Sequence, residues 1–91
     1  MFVREILWTD ESEEHIARHG VVPAEVEEAV NSSPRTEEPS RNGTMKVFGL
    51  SDAGRPLAVL FTEALDGRDY VVTARQMTDT ERRTFRRKTG R

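Results

Sequence analysis

The chain opens on Val3 to Trp8, a mostly apolar run rich in β-formers that predicts a first strand. A helix follows from Asp10, with Asp10 as its cap and Glu13 three positions on completing a capping box; His19-Gly20 ends it. Pro23 suits the first turn of a second helix, in which Val22, Val26, Ala29 and Val30 form one apolar stripe before Asn31-Ser32-Ser33-Pro34 stops it. Residues 35–43 are polar, with Pro39 and Asn42-Gly43, and read as a loop or at most an edge strand with a turn. Three stronger strands come next, Thr44 to Leu50, Pro56 to Glu63 and Asp69 to Gln76, joined by turn-rich tetrapeptides in the manner of an antiparallel meander. The run Leu57-Ala58-Val59-Leu60-Phe61 is continuously apolar, as expected of a central strand buried on both faces. Thr78 and Glu81 form a second capping box and open a basic C-terminal helix. The order strand, two helices, three strands, helix predicts an α+β fold: an antiparallel sheet of about four strands, packed with two N-terminal helices and a C-terminal one.

With 91 residues there is room for one domain spanning 1–91, its basic end at 86–91 free to be flexible. The absence of cysteine removes disulfides and thiolate metal sites, and no segment approaches the length of a membrane span, so a soluble cytoplasmic protein is expected. The net charge of −2 conceals a division: residues 1–40 carry three basic and ten acidic side chains, residues 41–91 eleven basic and six acidic. The second half therefore suits a polyanionic partner, although charge blocks are also simply solvated faces.

Period-two alternation along the last strand places Tyr70, Val72 and Ala74 on one face and Val71, Thr73 and Arg75 on the other. On the strand from Thr44, Met45 and Val47 point one way, Lys46 and Phe48 the other, so Lys46 and Arg75 can share a face. Arg55 enters the central strand from its turn, and Arg41 lies just upstream of the sheet. Arginine grips phosphate oxygens with paired hydrogen bonds, and RNA cleavage needs a base for the 2′-hydroxyl, charge stabilisation at phosphorus and a proton for the leaving oxygen. Glu81 is the candidate base, Arg75 and Arg55 suit the phosphate, and Lys46 suits charge stabilisation or acid work; Arg41, Arg82 and Arg86 are candidates for binding RNA. Plainer roles stay open: Glu81 closing the capping box, Lys46 facing solvent, and Arg82, Arg83, Arg86, Arg87 and Lys88 forming a solvated helical face. His15 and His19 are one helical turn apart, without a third ligand in a defined motif, so no metal or other cofactor is expected.

Trp8, His19-Gly20-Val21, Ala29, Gly49, Arg55, Leu57-Ala58-Val59, Thr62, Thr73-Ala74-Arg75, Glu81 and Phe85, in that order and spacing, resemble the BrnT family of bacterial type II toxin-antitoxin toxins. The resemblance spans nearly the whole chain and implies a RelE-like fold, metal-independent endoribonuclease activity that arrests growth, and neutralisation by a BrnA-like antitoxin. Such an antitoxin carries a ribbon-helix-helix domain, so DNA is reached only through it. Arg75 corresponds to the arginine of the family's Ser-Ala-Arg motif, Glu81 to the glutamate of the following helix, and Arg55 to the arginine opening the central strand. Thr73 stands where serine is usual, and Phe85 where tyrosine is common. The alternative is a non-catalytic module that uses the same fold to hold RNA or a protein.

Overall fold

The computed structural model describes residues 4–90. Its elements are β1 (Ile6–Leu7), α1 (Asp10–Ala17), α2 (Pro23–Val30), β2 (Thr36–Pro39), β3 (Met45–Leu50), β4 (Pro56–Glu63), β5 (Asp69–Gln76) and α3 (Asp79–Thr89). The fold is α+β, and its sheet has five strands in the order β1-β5-β4-β3-β2. Strands β3 to β5 form the expected antiparallel meander, which β2 extends at the edge, whereas β1 lies parallel to β5, with Ile6 opposite Asp69 and Leu7 opposite Tyr70. The sheet is thus mixed, and β1 departs from expectation in both its pairing and its length. Residues 36–39 do form an edge strand, which Pro39 ends without loss because its missing N–H faces no partner in an edge position. The first strand is cut to two residues, Val3 lying outside the described residues.

Two corrections concern the helix starts. The cap of α1 is Thr9: its Oγ1 accepts from the Ser12 N–H at 3.1 Å while Ser12 Oγ accepts from the Thr9 N–H at 3.0 Å. The box is therefore one residue earlier than the Asp10–Glu13 pair, and Ser12 is buried within it. Val22 is the N-cap of α2, extended and 53% exposed, and so does not join the buried stripe of Val26, Ala29 and Val30. Pro23 takes the first helical position, where its lost N–H has no intrahelical partner to forgo. Thr78 and Glu81 close the predicted box on α3, which continues through 86–89 to a left-handed Gly90.

Alternation on β4 explains the layering. Leu57, Val59 and Phe61 face a core built with Ile16, Val21, Val26, Ala29 and Val30 of the helical layer and Val47, Val71 and Ala74 of the sheet. Ala58 faces the other way, into a smaller cluster with Met77 and Phe85, flanked by Phe48 and Leu50. Helices α1 and α2 therefore cover one face, and α3 covers part of the other. β4 is thus the central strand, buried on its helical face and at Ala58, while Leu60 stays half-buried on the other face, a correction to the burial expected on both faces.

The register of β5 breaks between Leu60 and Phe61, which pair with Thr73 and Val71 and leave Val72 as the extra residue of a β-bulge. The bulge resets alternation, so Val71 and Ala74 both enter the large core and Val72 turns out to solvent. The uniform alternation expected across Tyr70 to Arg75 is corrected at that point. Arg75 still lies opposite Ala74, as expected. At the foot of the sheet, Arg4 donates to Asp69 at 2.8 Å, pairs with Glu37 and lies 4.6 Å from the Phe61 ring centroid. Its side chain joins β5 to β2, two strands that are not neighbours.

Candidate nucleic-acid interface

Because α3 shields only part of its face, the rest of β3, β4 and β5 is left as an open groove of about 440 Å³. The strand registers build it row by row. Lys46, Leu60 and Thr73 stand side by side, and in the adjacent row Phe48, Ala58 and Arg75 do the same. Lys46 and Arg75 thus share the face that alternation predicts. Arg41 joins them from the turn between β2 and β3, where Asn42 takes a left-handed conformation (φ 55°) that asparagine tolerates. Between these three cations the floor is apolar, made by Ala58, Leu60 and the bulged Val72.

Arg75 is held from α3. Its Nη1 and Nη2 donate to Oε1 and Oε2 of Glu81 at 2.6 and 2.9 Å, a two-point guanidinium–carboxylate pair. Glu81 Oε1 also accepts the Thr78 N–H at 2.9 Å, so one carboxylate closes the capping box and orients the arginine. The Arg75 hydrogen bonds, aided by the Thr78 N–H and by the charges of Arg75 and Lys46, hold the Glu81 carboxyl at about 2, well below its ordinary 4.5. The same pair raises the Arg75 pKa further. A carboxylate of that acidity has little affinity for a proton at neutral pH. Held in this pair, Glu81 acts as a positioning group for Arg75, rather than as the base expected from sequence. The Arg75 side chain keeps 36% of its surface exposed toward the groove side of the sheet.

The other candidates fall elsewhere. Arg55 lies at the opposite layer, donating to the Gly20 carbonyl at 2.8 Å, to both Glu25 oxygens at 3.0 and 3.2 Å, and to Gln76 Oε1 at 3.3 Å. It ties the α1–α2 turn to the sheet and does not line the groove, a correction to its expected place at the phosphate. Arg82 and Arg86 line a shallow depression with Leu50, Pro56 and Met77 on the far flank of α3 from Glu81. Helical spacing separates 82 and 86 from 81, 84 and 88, so these arginines cannot serve the same phosphate as Arg75. Phe85 is buried against Ala58 and Met77 and has a packing role. His15 and His19 are exposed, with ring centroids 6.2 Å apart, and among the described residues no group of three or more potential ligands gathers around a metal position.

Sequence reasoning missed Leu60 and Val72 as groove residues. Leu60 is legible in principle, since it alternates with Val59, but a continuously apolar run gives no sign of which of its residues stays open. Val72 had no local signal, because the bulge exists only in the pairing of β4 with β5. Comparison with known protein families, with curated proteins and with solved structures yields no match, and the functional reading therefore rests on the chemistry of this groove.

Proposed function

We propose that the chain is the toxin of a type II toxin-antitoxin pair, a RelE-like endoribonuclease of the BrnT kind. The observation that carries this reading is Arg75, clamped by Glu81 and facing Lys46 across β4 in an open groove with Arg41 at its rim. An RNA phosphate entering there meets two cations at the sheet and a third at the turn, and these stabilise charge that develops on its oxygens. A phosphate that takes over hydrogen bonds from Arg75 removes the largest cause of the low Glu81 pKa. The carboxylate then recovers basicity beside the substrate, and Lys46 remains to balance the leaving group's charge. No step in this scheme calls for a metal. A BrnA-like ribbon-helix-helix antitoxin would silence the toxin by covering the groove, and contact with DNA would run through that partner.

A second reading, a non-catalytic RNA-binding module, is favoured by the strength of the Arg75–Glu81 pair, which leaves no free base in the groove. Incubation of purified protein with mixed RNA in chelator separates the two. Loss of a charge-stabilising donor lowers cleavage by roughly 100-fold in Arg75→Ala, and Lys46→Ala falls in the same direction. Arg86→Ala, on the far flank of α3, retains cleavage. A folded parent that binds RNA without cutting it establishes the module instead; a parent that neither binds nor cuts removes both readings.

A further inference from the structure

Among the described residues the large hydrophobics left exposed are Val22, Leu65 and Val72, and of these Val72 lines the groove. It is there because of the bulge. Regular pairing would have kept one inward and one outward residue in turn, whereas the extra residue places Val72 and Thr73 consecutively on the groove side while Val71 and Ala74 stay in the core. Bulges that re-aim side chains cluster beside functional sites. Here the result is an apolar patch of Leu60 and Val72, with Ala58 beneath, enclosed by Arg41, Lys46 and Arg75. Phosphate binding alone gives no reason for apolar surface at that position, since cations on a polar floor do as well.

We propose that the groove is a subsite for one nucleotide of single-stranded RNA, its base lying on Leu60 and Val72 and its phosphate held by Arg75 and Lys46. This deepens the reading of the groove as an RNA site and rests on it, although it does not require cleavage. The volume of about 440 Å³ lies within the range of pockets that enclose a small organic ligand. Complementarity of charge selects a polyanion, and the apolar floor selects one whose flat faces are free. In a duplex those faces are stacked within the helix, so only an unpaired strand can lay a base against Val72. Arg41, carried on the turn at the opposite rim, is placed for a neighbouring phosphate of the same strand.

The test uses the whole protein and labelled oligonucleotides with 2′-O-methyl sugars, which cannot undergo 2′-hydroxyl attack, read by fluorescence anisotropy. Three probes of equal length are compared: a single strand, its blunt duplex and an abasic strand. The parent binds the single strand most tightly, and Val72→Ser weakens that binding about 5-fold, from the apolar contact with the base that is lost. Val72→Phe, which enlarges the platform at an open position, tightens it. Neither variant changes affinity for the abasic strand, whereas Arg75→Ala weakens all three probes. Equal affinity of the parent for all three, with both Val72 variants unchanged, overturns the subsite while leaving the groove as a charge-reading RNA site. That result would also reassign the apolar floor to contact with a protein. Absence of binding to any probe by a folded parent overturns the subsite and the RNA reading together.

Discussion

Glu81 shows how one carboxylate serves both local and tertiary structure. Its backbone N–H donates to Thr78 Oγ1 at 3.2 Å, its Oε1 accepts the Thr78 N–H, and its two carboxylate oxygens hold Arg75 six residues back in sequence. The low pKa makes this arrangement pH-dependent with a definite sign. A group whose folded-state pKa is depressed stabilises the fold above its unfolded value, and loses that contribution as pH falls through the folded one. The window here runs from about 5 down to about 2, given the ordinary 4.5 and the shifted value of about 2. Because Arg75 is 36% exposed, solvent screening limits the contribution to about 1 kcal/mol at neutral pH. Denaturant titrations across that range are expected to show Glu81→Gln less stable than the parent at pH 7 and converging with it toward pH 2. A constant gap at every pH would mean that the pair does not stabilise the fold through its charge.

At the scale of elements, seating of α2 on the sheet depends on Gly49. A Cβ at that position would come within 2.2 Å of the Ala29 carbonyl oxygen and 2.7 Å of Ser32 Oγ. Both neighbours are committed, since Ser32 Oγ donates to that carbonyl at 2.7 Å and accepts from the Leu50 N–H at 3.3 Å. Backbone cannot yield as a flexible side-chain tip does, so Gly49→Ala forces α2 off β3 at a cost of about 2 kcal/mol. The midpoint of urea unfolding is expected to fall without a change in slope. A midpoint equal to the parent's would show that α2 does not sit this close to β3. Nothing in the residues around this glycine marks its role, whose reason is the approach of a helix carbonyl from another part of the chain.

For the whole molecule, much of the acidic charge of the first half gathers on the helical layer, although Glu37 and Glu38 stay on the edge strand β2. Exposed Glu11, Glu13, Glu14 and Glu27 sit on α1 and α2, across the sheet from the groove that carries Arg41, Lys46 and Arg75. The small net charge therefore does not describe what an approaching polyanion meets. If three phosphates of a single strand are neutralised at the groove, affinity falls roughly 20-fold as salt rises from about 50 to about 200 mM, from the counterions released. A flat dependence, measured with the same oligonucleotides, would show that these three cations do not carry the contact. The α+β arrangement accounts for this polarity; among the described residues no helix is long and apolar enough to cross a membrane.

What the sequence determined by itself was local or periodic. Capping at Thr78 and Glu81, Pro23 at a helix start, the central place of β4 and the shared face of Lys46 and Arg75 rest on interactions within a few residues or on the period-two geometry of a strand. Tertiary structure alone decided the parallel placement of β1, the bulge at Val72, the capture of Arg55 by Glu25 and Gly20, and the bridging of β2 and β5 by Arg4. Each of these joins segments far apart in the chain, where the choice of partner follows from packing and register, and an arginine in the sequence looks the same whether it will bind a phosphate or a carboxylate.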